Sequence, residues 1–109
     1  MWLFTSQGFL SVVAHRDMQG FFLVRARRRS HLVALLPDAE IVFLKDADYP
    51  FRCLLSLGEL KECLINQLQA IEYDNYKNSI LDAEYHDVCV DVWRTMWAYG
   101  YQYRKEGSQ

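Results

Sequence analysis

Residues 8–27 read GFLSVVAHRDMQGFFLVRAR, and this stretch decides the class of the fold. Leu10, Val12 and Ala14 alternate with Phe9, Ser11, Val13 and His15 at the period of two that a strand imposes on its side chains. After the polar turn Arg16-Asp17-Met18-Gln19-Gly20, the alternation resumes. Phe22, Val24 and Ala26 share one face, and Leu23, Arg25 and Arg27 the other. Two β-rich segments joined by a short polar turn predict an antiparallel pair.

Working outward, Trp2 to His15 is split by Ser6-Gln7-Gly8, which reads as a hairpin with Gly8 supplying the permissive backbone of its reversal. Downstream, Ser30 is the expected N-cap of a short helix that begins at His31, carries Leu32, Leu35 and Leu36, and stops at Pro37. Ile41 to Leu44 predicts a short strand and Lys45 to Asp48 a turn. Tyr49 to Leu55 predicts a further strand, with Pro50 at its start or on an edge. Ser56 and Glu59 form the S-x-x-E capping box of a second helix, along which Leu60, Cys63, Leu64, Leu68 and Ile71 recur at helical spacing.

Glu72 to Ser79 fits either a loop or a frayed turn. From Asp82, a capping residue, Tyr85, Val88, Cys89, Val92, Trp93, Met96 and Tyr103 trace one stripe of a third helix, and residues 105–109 form a tail expected to fray. The order β-β-β-α-β-β-α-α has hairpin signals and no regular strand-helix alternation. It predicts an α+β fold, a mainly antiparallel sheet of about five strands with one short and two longer helices on one face. A ferredoxin-like arrangement is one topology that this order allows. At 109 residues, 51% of them hydrophobic, residues 1–109 have material for one core and are read as a single domain.

The formal charge of −2 gives no global attraction to nucleic acid or to an anionic membrane. Cys53, Cys63 and Cys89 are odd in number, lack C-x-x-C spacing and lie in apolar patterns, which suits reduced thiols and a cytoplasmic setting. The N-terminal stretch carries neither a basic leader nor a long apolar run, so secretion and membrane insertion are not expected. No pair among His15, His31, His86 and the cysteines stands at a metal-ligand spacing, and no metal or cofactor is expected.

Asp38, Glu40, Asp46 and Asp48 surround a short strand ending in Lys45, yet Phe43 stands where a metal-dependent nuclease would need an acid. Phosphate-loop, nucleophile-elbow and zinc-helix motifs are absent from the sequence. A catalytic role is therefore not expected, and a small enzyme with an unrecognised site is the least favoured reading.

Two surfaces remain. Arg16, Arg25, Arg27, Arg28, Arg29, Arg52 and Lys77 are candidates for a patch that clamps phosphate or carboxylate, although a solubilising sheet edge is the plainer reading of the arginines. Tyr49, Tyr76, Trp93, Trp97 and Tyr101 are candidate interface aromatics; Trp97 and Tyr101, four apart and off the main stripe, are expected to be exposed together.

The order of Trp2-Leu3-Phe4-Thr5, Ser11-Val12-Val13 with His15-Arg16, Leu23 to Arg27, Asp48-Tyr49 with Arg52, and Asp74 to Lys77 resembles a family of short bacterial and phage proteins. That family shows W-x-F-T near its start and D-Y-x-N-[FY]-K before its last helix; here Glu72 replaces the leading aspartate. The resemblance implies a bacterial or phage setting and a shared fold, and carries no activity. The leading expectation is thus a small non-catalytic protein-interaction module acting on a protein partner or as a homodimer: a regulator, or a mobile-element-encoded inhibitor of a host defence system. Nucleic-acid or anion binding through the arginine-bearing strand is the alternative.

Overall fold

The structure, a computed structural model, describes residues 1–108. The chain forms two compact units, one from Met1 to Asp74 and one from Asn75 onward.

In the first unit, β1 (Trp2–Thr5), β2 (Gly8–Ala14), β3 (Phe21–Ala26), β4 (Val42–Phe43) and β5 (Phe51–Ser56) make one sheet of order β1-β2-β3-β5-β4. Every neighbouring pair is antiparallel. The α+β class and element order expected from the sequence are therefore present. Strands β3 and β4, each antiparallel to the β5 between them, run parallel and are joined through the short helix Arg29–Leu35, a split strand-helix-strand unit of the kind a ferredoxin-like sheet contains; Phe21 stands opposite Ser56 and Ala26 opposite Phe51.

Alternation decides which face is covered. Leu10, Val12, Val24, Ala26, Cys53 and Leu55 point to one face and are buried with Leu32 and Leu35 of α1 (Arg29–Leu35) and Leu60 of α2 (Leu57–Gln69). Both helices thus lie on a single face, as patterning required. The opposite, outer face carries Trp2, Phe4, Phe9, Ser11, Val13, Leu23, Arg25, Arg52 and Leu54, the register partners of alternate positions.

Local details depart from the sequence reading where packing outweighs propensity. Helix α1 begins two residues early, with Arg28 in the N-cap position and no side-chain cap, so Ser30 lies inside the first turn. The Ile41–Leu44 strand contracts to Val42–Phe43, the two residues in register with β5, opposite Arg52 and Phe51. Helix α2 has the full reciprocal capping box: Ser56 Oγ accepts from Glu59 N–H at 3.2 Å, and Glu59 Oε1 accepts from Ser56 N–H at 2.9 Å. Those bonds favour the ionised carboxylate and hold Glu59 below its ordinary value.

In the second unit, the undecided connection resolves into a 3-10 turn, Lys77–Ser79, followed by α3 (Ala83–Tyr101). Asp82 Oδ1 accepts from Tyr85 N–H at 3.0 Å, the cap expected at that position. Of the predicted stripe, Tyr85 and Cys89 are buried, while Val88, Trp93 and Met96 are exposed. A second 3-10 turn, Arg104–Ser108, stands where a fraying tail was expected; Gln109, the end of that tail, lies outside the described residues. Among the described residues no helix is long and apolar enough to cross a membrane.

Candidate functional site on the outer sheet face

The sheet register places Ser11, Arg25 and Arg52 side by side across β2, β3 and β5, with Val42 of β4 at the far end and Trp2 of β1 at the near end. Two arginines directly opposite on adjacent strands repel unless something compensates them. Arg25 donates from Nη2 to Ser11 Oγ at 2.8 Å, and its guanidinium lies 4.7 Å from the centre of the Tyr49 ring. Ser11 is only 2% exposed. A hydroxyl and a ring face orient the charge without neutralising it.

Arg27 sits over the same ring at 4.3 Å and pairs with Asp48 at 3.0 Å. Both ends of that ion pair are well exposed, so it contributes little stability. Neither Arg25 nor Arg52 makes an ion pair among the described residues, and the Nε atoms of both are covered and without a hydrogen-bond acceptor. Tyr49, a candidate interface aromatic, is instead buried beneath the two guanidiniums, with Phe9 at 6.4 Å and Phe4 stacked on Phe9 at 4.5 Å.

The remaining candidate cations are dispersed. Arg16 is exposed in the β2–β3 turn, Arg28 and Arg29 are exposed at the start of α1, and Lys77 belongs to the second unit, with its Nζ 3.9 Å from the centre of the Trp93 ring. Of the six candidates in the first unit, Arg16, Arg28 and Arg29 thus lie outside the strands that carry Arg25 and Arg52. The structure brings together Arg25, Arg27 and Arg52. Ser11, which orients Arg25, was passed over in the sequence; its signal is a lone hydroxyl on the strand face shared with Phe9 and Val13.

In the second unit, Trp97 and Tyr101 are about half exposed and stack on each other at 5.0 Å, as their spacing predicted, with Arg104 4.4 Å from the Tyr101 ring. Tyr76 is half-buried and turned inward, its hydroxyl 3.1 Å from that of Tyr85 and 3.5 Å from Cys89 Sγ. Burial, and then those two bonds, push its phenol well above the ordinary range.

A hollow beside the β2–β3 turn is lined by Ala14 to Phe22. There His15 Nδ1 already accepts from the Asp17 and Met18 N–H groups at 3.0 Å, which occupies the lone pair that a general base would use. Among the described residues no group of three or more His, Cys, Asp or Glu side chains gathers into a metal-ligand set.

All three cysteines are free and buried. Burial above all, then the Cys63 and Glu59 charges, push the Cys53 thiol up from 9.0 to about 11. Below pH 9 the thiol is protonated whether the chain is folded or not, whereas between pH 9 and 11 only the unfolded chain ionises it. Folding stability should therefore fall across that window. Denaturant midpoints read from pH 8 to 10.5 should show a shallower decline for Cys53→Val than for the parent chain.

Compared with protein-family models, with curated proteins and with solved structures, the chain matches none, so a functional reading stands on the geometry of the outer sheet face itself.

Proposed function

We propose that this chain is a small, non-catalytic protein-interaction module that docks its partner on the outer face of the sheet. The observation that supports this most is a half-buried arginine pair without a counter-ion, bordered by exposed apolar side chains. Trp2 is 69% exposed, Val42 54% and Leu54 42%. Protein interfaces combine an apolar centre, aromatic residues and arginine in this way. The aromatic cluster on α3 is the weaker candidate, because Trp97, Tyr101 and Arg104 already pack on one another and Lys77 covers Trp93.

A small binding module with three reduced thiols fits a cytoplasmic regulator, or a mobile-element-encoded inhibitor of a host defence system. Nucleic acid is disfavoured, since base stacking needs free ring faces, and on this face Trp2 is open while Tyr49 and Phe4 are not. Tyr49 is covered by Arg25 and Arg27, and Phe4 by Phe9.

Affinity capture from a bacterial lysate, paired with light scattering of the pure chain, tests the proposal. Val42→Thr with Leu54→Thr keeps β-propensity and removes apolar surface. This double variant should lose a nuclease-resistant protein partner, or a second copy, that the parent chain and Trp97→Ala both retain. Equal capture by the double variant, or capture abolished by nuclease, would refute it.

A further inference from the structure

We infer that Arg25 and Arg52 form a socket for an acidic peptide segment, one carboxylate on each guanidinium. The inference rests on the docking face proposed above and names the chemistry that the partner must bring.

Buried polar donors in folded proteins are nearly always bonded, and unmet ones call for an acceptor from elsewhere. Here two such donors, Arg25 Nε and Arg52 Nε, stand on adjacent strands in the same cross-strand row. The charge is uncompensated as well. Ser11, oriented toward Arg25, is a neutral acceptor, and Asp48 is engaged by Arg27. In the free chain Arg25 is held at one edge by Ser11 and on one face by Tyr49. A carboxylate that meets the outer edges of the forks draws each guanidinium into the side-on geometry in which Nε–H and Nη–H donate in parallel. The covered donors are then satisfied, and the repulsion across β3 and β5 is relieved.

The surroundings select a peptide. Val42 and Leu54, exposed on either side of Arg52, suit side chains that flank an acidic residue. A chain of net charge −2 lacks the long-range field that gathers a polyphosphate. The faces of Tyr49 and Phe4 are already covered, which leaves a run of bases Trp2, at the end of the row beyond Ser11, and no continuous stacking surface.

The test follows the arginine Nε–Hε resonances of the full chain by nitrogen-proton NMR at fixed ionic strength, assigned by their disappearance in Arg25→Lys and Arg52→Lys. The probes are an acetylated tetraglutamate peptide, its tetraglutamine counterpart, inorganic phosphate and a short oligothymidylate. The tetraglutamate peptide should shift both resonances saturably, the tetraglutamine peptide neither, and Arg52→Lys should weaken binding about tenfold although the charge is kept. Backbone amide spectra report whether each variant is folded.

The inference is overturned by no saturable shift, by Arg52→Lys binding as tightly as the parent, or by phosphate or the oligonucleotide binding more tightly than the peptide. Its failure is separable from that of the docking face. Capture lost on Val42→Thr with Leu54→Thr, but with no peptide shift at the arginines, rejects only the socket. Peptide binding, with capture indifferent to those two changes, rejects only the docking face.

Discussion

Leu32→Ala should destabilise the fold by about 2–5 kcal/mol, toward the upper end of that range. Leu32 is fully buried, and α1 buries only it and Leu35. The helix has seven residues, no side-chain cap, no acid in its first turn and no base in its last. A helix so short has almost no stability of its own and is held by what its apolar side chains touch. Truncating Leu32 therefore leaves a cavity against Leu10, Val24 and their neighbours and also loosens the element that covers them. A urea titration should show a large drop in midpoint, and hydrogen exchange should show α1 amides losing protection. Val33, on the same helix but 42% exposed, supplies the control: Val33→Ala should change stability by less than about 0.5 kcal/mol.

That contrast shows which features of the fold were legible beforehand. The period-two alternation in residues 8–27 is a one-dimensional signal: it grouped Leu10 and Val12 with Ala14, and Val24 and Ala26 with Phe22, and the structure covers these faces at all but Ala14, which is exposed at the end of β2. The Ser56–Glu59 box is equally local, and it marked the start of α2 to the residue. Ser30 looked like the same kind of signal. A capping side chain works only where the backbone leaves the helix, and the chain turns at Arg28, two residues after β3 ends. The stripe on α3 was likewise a correct pattern with a partial outcome: periodicity orients a face, but burial requires a neighbour opposite it. Val88 and Met96 are left exposed.

The candidate site was half legible for a related reason. Arg25 and Arg27 share a face of one strand and were visible as a pair. Arg52 joins Arg25 only through the β3–β5 register, which composition and periodicity do not encode across a helix, a short strand and two turns. Arg28 and Arg29, which adjacency in sequence had grouped with Arg25, lie beyond the end of β3 at the start of α1. Function on this surface depends on the pairing of strands more than on the run of arginines.

Gly8→Ala is expected to destabilise the chain by about 1–3 kcal/mol for a reason that the hairpin reading did not contain. The left-handed backbone in this half of the molecule belongs to Gly20, with φ of 82°, and not to Gly8. What Gly8 provides is space. A Cβ there would lie 2.6 Å from His31 Cγ, 2.7 Å from its Cβ and 2.9 Å from its Cα. A side chain can swing away, but the last of these atoms belongs to the backbone of α1, so the helix must shift off the sheet. Local bonds resist that shift. Phe9 N–H donates to His31 Nδ1 at 3.2 Å, Gly8 N–H donates to Thr5 Oγ1 at 3.1 Å, and the Thr5 hydroxyl returns a bond to the Gly8 carbonyl at 3.0 Å. Adding His31→Ala removes the ring but leaves Cβ and Cα in place, so the double variant should recover little stability. Near-complete recovery in a denaturant titration would show that the ring alone was the obstacle. Gly100→Ala is the matching control: it lies in α3 with nothing within 4 Å, and it should raise stability by about 0.5–1 kcal/mol through helix propensity. The opposite signs at these two glycines would establish that Gly8 is fixed by the close approach of α1 to the sheet, the same packing that makes Leu32 the residue on which the first unit most depends.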